Sequence, residues 1–315
     1  MSTTFKSLGI ASFATSLLVT GASFAGTGTA PTTNTYVASV HAGRATVYQE
    51  LPELSLEHVT PPDAIQAVTK GNVAPTEIWR ALEHGEKVEC LDCIPGVSKL
   101  LYDGNSKTRE ISAWWLRRRI FGVFGPGEIY SQVIDTLKND GSDARRSYAA
   151  QALGEFLVAD GVPLVAHAAV SDPAAIVRTA AVGALERLNN EGPGGELATA
   201  IGDSSPDVQL AALNASVHIN VFSRVDAVVA RLSDPNSDVR RRAADVLGTM
   251  RSSDSVVGLI ALSSPDQEKD ARVRTSAVAA LGRIADPSAH DAVEAALSDA
   301  DPLVQSVARI ALRRL

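Results

Sequence analysis

From residue 94 onward, apolar positions fall into helical stripes that come in pairs. Residues 162–188 show one pair clearly. Leu164, Val165, Ala168 and Ala169 lie on one side of a first helix, and Asp172-Pro173 makes a turn. Val177, Ala181, Ala184 and Leu185 then lie on one side of a second helix, because residues three and four apart share a helix face. With Val177 as anchor, the second helix recurs at Thr108, Arg145, Val208, Val239, Val273 and Val304, in steps of 37, 32, 31, 31, 34 and 31 residues. Four residues after each anchor stand Ser112, Ala149, Ala181, Ala212, Ala243, Ala277 and Ala308. Small residues there let helices approach closely and share a core. A fixed period near 31 residues predicts a stack of helix pairs, each burying its apolar face against the next.

Polar positions keep the same beat. Five residues before the anchors are Asp103, Asp140, Asp172, Asp203, Asp234, Glu268 and Asp299, and one residue after them are Arg109, Arg146, Arg178, Gln209, Arg240, Arg274 and Gln305. A carboxylate just ahead of a helix can accept its free N–H groups and sits well at the positive end of its dipole. An arginine one turn on can bridge to a neighbouring unit's carboxylate. The expectation is a structural ladder made of Asp103, Asp140, Asp172, Asp203, Asp234 and Asp299 with Arg109, Arg146, Arg178, Arg240 and Arg274. Gln209 and Gln305 depart from it, and the 34-residue step leaves open which acid of 265–270 is the member there.

The segments DPAAIVRTAAVGAL (172–185), DPNSDVRRRAADVLG (234–248) and ARVRTSAVAALG (271–282) resemble HEAT repeats, in particular the short bacterial phycobilisome-lyase HEAT-like kind. The resemblance covers about two-thirds of the chain. It implies an all-α fold, a HEAT-like α-solenoid forming a right-handed superhelix of helix pairs, with each carboxylate of the ladder bonding near the next unit's helix start. Bilin-lyase activity would follow from fold analogy alone, which does not carry function. A second HEAT-repeat family, deoxyhypusine hydroxylase, binds iron through repeated His-Glu pairs. None of the six histidines here (41, 58, 84, 167, 218 and 290) is followed by Glu, so that activity is not carried over.

Upstream of the array the pattern changes. Residues 1–25 read as a signal peptide: Lys6 is the only charge, 8–19 is apolar, and Ser23-Phe24-Ala25 offers small residues at a cleavage site. Residues 26–62, rich in Thr, Gly, Pro and Ala, read as a flexible linker. Residues 63–93 read as a helical cap with a CxxC motif, its helices at 63–70 and 76–84, and Ile78, Trp79 and Leu82 on one face. Seven repeats fill 94–315.

Charge narrows the function. A net charge of −7 argues against general nucleic-acid binding, which calls for a basic stripe. Aromatic residues then locate the unusual part: nine of the fifteen lie between positions 79 and 156, along with both cysteines. Cys90-Leu91-Asp92-Cys93 has three readings: a structural disulfide, as exported proteins keep; a redox dithiol favoured by a helix N-terminus; and a metal site, for which only His84 stands nearby. Ile94 after Cys93 excludes covalent haem attachment of the c type.

The second candidate is Trp114 with Glu110, Arg117 and Arg118. Trp114 aligns with Gly183 and Ala279, off the core stripe. A tryptophan among arginines has the composition of a binding hot spot, and packing on the cap is the other reading. The run Arg117-Arg118-Arg119 is expected to be solvated and paired with Glu110 and Glu128. Glycines 122, 125 and 127 lack the Lys-Ser/Thr ending of a phosphate loop and predict a long inter-repeat turn.

These readings converge on an exported, non-catalytic scaffold that mediates protein–protein interaction on the surface of its second helices. Cys90 and Cys93 would lock the cap as a disulfide, and no cofactor, metal, nucleic acid or membrane span is called for. The alternative is a redox or electron-transfer accessory that uses the same cysteine pair.

Overall fold

The structure, a computed structural model, describes residues 60–122 and 125–315. The expected signal peptide and all but the last residues of the expected linker lie outside them. The described chain is an α-solenoid. A first pair, α1 (Pro62–Val68) and α2 (Pro75–His84), precedes seven more. These are α3 (Ile94–Lys99) with α4 (Ser106–Arg117), α5 (Glu128–Asn139) with α6 (Asp143–Phe156), and α7 (Val162–Ser171) with α8 (Ala175–Arg187). Then come α9 (Glu196–Ile201) with α10 (Pro206–His218), and α11 (Val225–Val229) with α12 (Ser237–Met250). The last are α13 (Val256–Ser263) with α14 (Ala271–Ile284), and α15 (His290–Ala295) with α16 (Pro302–Ala311). Among the described residues no helix is long and apolar enough to cross a membrane.

The first helix of each pair is called A and the second B. In the seven repeats each B helix starts two residues before its anchor, and the residue just ahead of it, three before the anchor, is in extended conformation. Asn105, Ser142, Asn236, Asp270 and Asp301 hold that place and accept helix N–H groups through their side chains. The ladder acid therefore acts one step earlier than its position suggested. Asp172 Oδ1 takes the N–H of Ala174 (2.9 Å), and Asp203, Asp234 and Asp299 each take the N–H two residues on, at 2.8–2.9 Å. It fixes the turn that presents the cap rather than capping the helix itself.

Anchors Val177, Val208, Val239, Val273 and Val304 are fully buried, as are Ala181, Ala212, Ala243, Ala277 and Ala308. Successive B helices lie very close. A Cβ added at Gly248 would stand 2.8 Å from Cα and Cβ of Ala280, and one at Gly282 would stand 2.6 Å from Cβ of Ala311. Glycine nine residues after one anchor thus faces alanine seven after the next, and only a missing side chain permits that approach. Four B helices end with the residue twelve after the anchor in the left-handed region: Leu157, Asn189, Arg251 and Ala285 at φ 50–60°.

The glycine-rich stretch after α4 connects two repeats, as expected, and contains a short strand pair: β1 (Phe121–Gly122) pairs antiparallel with β2 (Gly125–Pro126), in the register Phe121↔Pro126 and Gly122↔Gly125. This short hairpin accounts for the longest step between anchors.

Candidate functional site

Four of the five arginines one residue after the anchors each grip two turns. Arg146 forks onto Asp172 (Nε–Oδ2 2.8 Å, Nη2–Oδ1 3.0 Å) and donates through Nη1 to the carbonyl of Asp140 (3.0 Å). Arg178 forks onto Asp203 at 2.7 and 2.8 Å. Arg240 forks onto Glu268 at 2.6 and 3.0 Å, and Arg274 onto Asp299 at 2.7 and 2.9 Å. Glu268 is thus the acid of the lengthened unit, while Asp270 caps its helix. The two glutamines each keep half of the grip. Gln209 reaches forward to Asp234 (3.0 Å), and Gln305 reaches back to the carbonyl of Asp299 (2.7 Å). Paired forks of this kind are the strong form of the ion pair.

Electrostatics follow from that geometry. Burial pushes the carboxyls of Asp172 and Asp203 up, but their arginine forks and the backbone N–H groups outweigh it and hold both below the usual carboxylate range. Glu268 is lowered against its burial in the same way. At Asp299 the Arg274 fork is itself the largest influence, and the carboxyl is lowered.

The first rung does not form. Arg109 turns instead to Gln151 Oε1 (Nε, 3.1 Å) and to the carbonyls of Asp103 (2.7 Å) and Gly104 (3.1 Å), and stacks 4.0 Å over the ring of Tyr148. Asp140, the expected partner of Arg109, is taken by Arg145 at 2.7 Å. The cause is local: with arginine at the anchor position, a cation five residues away reaches Asp140 first. Asp103 accepts the N–H of Asn105 at 2.7 Å.

The residues expected around Trp114 take separate partners. Trp114 is half-buried against the core. Glu110 pairs with Lys107 (2.8 Å) rather than with the arginine run, and Arg118 pairs with Glu86. Arg117 has no ion pair among the described residues. Glu128 accepts from Gln132 at 2.8 Å, so it does not serve the run either.

Sequence reasoning missed Arg119. Its guanidinium stacks 3.8 Å over the Trp115 indole and donates to the carbonyls of Trp115 (2.6 Å), Glu86 and Val88 (2.9 Å). Trp115, fully buried, donates through Nε1 to the carbonyl of Gly85 (3.0 Å). Together they clamp the strand of chain leading into the cysteines. A Trp and an Arg four residues apart, at the end of a predicted helix, were the only hint in the sequence. Cys90 and Cys93 are buried, with sulfurs 2.05 Å apart, and Cys93 immediately precedes α3.

The exposed sides of the B helices leave furrows between units. One, of about 210 Å³, lies between α4 and α6 and is lined by Arg109, Glu110, Tyr148, Gln151 and Glu155. The next, about 370 Å³, lies between α6 and α8, shares Gln151 and Glu155, and adds Ile176, Gly183 and Arg187. Glu155 and Arg187 bridge the two helices at 2.5 Å. Gly183, the residue aligned with Trp114, thus faces a furrow. Among the described residues, the grouping of potential metal ligands is His290, Asp291 and Glu294, all exposed on a six-residue helix. Solvated groups there are not held for a metal.

The sequence profile of the HEAT repeats matches residues 130–216 and 225–313. No curated protein matches the chain by sequence. Among solved structures, the chain is similar to one of Kap95p in complex with RanGDP, at 16% identity and a TM-score of 0.61, over 85% of this chain and 43% of that one. It is similar to the YibA protein of E. coli at 18% identity and a TM-score of 0.54, over 87% of this chain and 98% of that one. A third, the CpcE–CpcF phycocyanin lyase complex of Nostoc sp. PCC7120, matches at 21% identity with a TM-score of 0.37, over 70% of this chain and 86% of that one. At these identities the likeness is one of fold.

Proposed function

Since the chain belongs to the HEAT-repeat family, we propose that it is a non-catalytic scaffold whose B-helix surface binds another protein. The observation that carries this reading is the pair of adjacent furrows across α4, α6 and α8, which share Gln151 and Glu155. Its walls mix an aromatic ring, amides and charges of both signs, which suits a folded or extended protein segment rather than a small apolar ligand. Tyr148, braced by the Arg109 guanidinium, is a rigid aromatic of the kind that anchors interfaces. Trp114, Glu110, Arg117 and Arg118 border the same helix and would form the rim.

The cysteines are read as a disulfide that locks the cap. Burial of both sulfurs supports the lock over the redox alternative, because an exchanging disulfide has to be reached by a partner's thiolate. Export rests on the signal-like residues 1–25 and fits such a bond.

Affinity capture of the mature protein from its host's envelope tests the proposal. Tyr148→Ala and Trp114→Ala are each expected to keep the helical circular dichroism spectrum and to lose a co-purifying protein. Recovery of the same partners by both variants would remove the furrow from consideration. N-terminal sequencing of the captured protein tests export, with Gly26 expected as the first residue.

A further inference from the structure

The B-helix surface changes character along the array. At the positions that line the furrows between α4, α6 and α8, the fifth and sixth units place Arg241, Arg242, Arg272 and Arg283. Arg242 holds the register place of Tyr148 and Ala180, three residues after the anchor, and both of those line furrows. Arg283 holds the place of Glu155 and Arg187, ten after it.

Their charges are incompletely matched. Arg272 is held by Asp270 at 2.7 Å and faces Asp238 at 3.5 Å. Arg241 stands 3.7 Å from Asp238 and 3.9 Å from Asp245, beyond hydrogen-bonding reach. Arg283 makes only a long contact with the carbonyl of Asp245 (3.5 Å), and no carboxylate among the described residues meets it. Arg242 has no ion pair or hydrogen bond among the described residues, and its Nε is closed off from solvent. A shielded guanidinium N–H without an acceptor is costly, and native structures supply one from somewhere. The ladder arginines of the same units, Arg240 and Arg274, do have their acceptors, so the shortage lies off the ladder.

We propose that this basic ridge, centred on Arg242, binds a carboxylate-rich segment of the protein partner. The proposal rests on the scaffold reading above and assigns the partner's chemistry. Carboxylates match the planar fork of arginine two bonds at a time. Arg272 and Arg283 are separated by about 16 Å along α14, a span that about five extended residues would cover. A nucleic acid fits less well: it would meet the whole chain's net charge of −7 and the interspersed Asp238 and Asp245. A short acidic segment meets chiefly the ridge.

The test is fluorescence anisotropy of a labelled hexaglutamate peptide titrated with the full chain at roughly 50 and 300 mM NaCl, with hexalysine and hexathymidylate as comparison probes. Hexaglutamate is expected to bind, more weakly at the higher salt, and hexalysine is not. Arg242→Gln is expected to weaken it about tenfold or more with no fall in melting temperature, since Arg242 has no intramolecular bond to lose. Lys138→Gln, exposed on α5 and outside both the ridge and the furrow, should bind as the parent does. Equal hexaglutamate binding by Arg242→Gln, or tighter binding of hexathymidylate than of hexaglutamate, would overturn the proposal. If a captured partner is retained in full by Arg242→Gln, the ridge is refuted while the scaffold reading stands; if no protein is captured at all, the scaffold reading fails instead.

Discussion

Replacing Arg274 with alanine offers the sharpest test of how the solenoid coheres. Arg274 makes four donations: to both carboxylate oxygens of Asp299 (2.7 and 2.9 Å) and to the carbonyls of Glu268 (3.0 Å) and Lys269 (3.1 Å). The two side chains are 7% and 1% exposed, so solvent screens the pair little. Without Arg274, the Asp299 carboxylate keeps the N–H of Asp301 (2.8 Å) as its remaining donor. Stranding one member of a buried pair costs about 3–5 kcal/mol. Repeat arrays respond locally, because each unit touches only its neighbours. The assay is therefore native-state hydrogen exchange read by segment. Amides of α14 and α16 are expected to lose protection by about 100- to 1,000-fold or more, at roughly 1.4 kcal/mol per factor of ten. Those of α6 and α8 should be unchanged. Arg274→Gln should fall between the parent and alanine, since Gln209 and Gln305 each retain one half of the grip. A loss of protection below about tenfold in Arg274→Ala, or one spread evenly over the array, would refute the view that the fork couples the sixth unit to the seventh.

Other predictions follow from the same contacts. Thr108, fully buried where most units have valine, carries a hydroxyl with no hydrogen-bond partner among the described residues. Thr108→Val is expected to stabilise the first unit by about 1 kcal/mol, measurable as a higher melting temperature or chemical-denaturation midpoint. Gly282→Val should cost about 1–3 kcal/mol, because its Cβ would lie 2.6 Å from that of Ala311, and exchange protection in α14 and α16 reports it. Ala285→Gly should stabilise by several tenths of a kcal/mol up to about 1 kcal/mol, because φ is +60° there and alanine is strained in that region. Acid should loosen the array in a definite direction. Asp172, Asp203, Glu268 and Asp299 titrate lower folded than unfolded, so their stabilisation is complete above the ordinary carboxylate values near 4. It is lost as pH falls through their lowered values. A melting temperature level from about pH 7 to 5 and falling below about 4 is the expected profile; a rise on acidification would contradict it.

What the chain declares by itself is what is local. The anchor valines, the alanines four residues later, the turn acids and the capping Asn, Ser or Asp all lie within about three helical turns of one another. Helical period and turn chemistry therefore place them without reference to the rest of the molecule. Sequence period leaves open which of the three acids at 266–270 belongs to the ladder, and the structure gives that place to Glu268. Tertiary structure decides the bonds that run from one unit to the next, over 25–42 residues of chain. Arg109 carries the ladder residue in the ladder position, yet Arg145 has already claimed Asp140, and Tyr148 and Gln151 offer Arg109 another seat. Arg119, one of three adjacent arginines, becomes the clamp on the cap because Trp115 beneath it points at the carbonyls of 85–88. Arg242 follows the ladder's Arg240 by only two positions, yet Arg240 grips Glu268 while Arg242 is left unmatched. Periodicity assigns an arginine to a face; which partner it holds depends on what the neighbouring repeat brings to that face, a fact that exists only once the units are stacked.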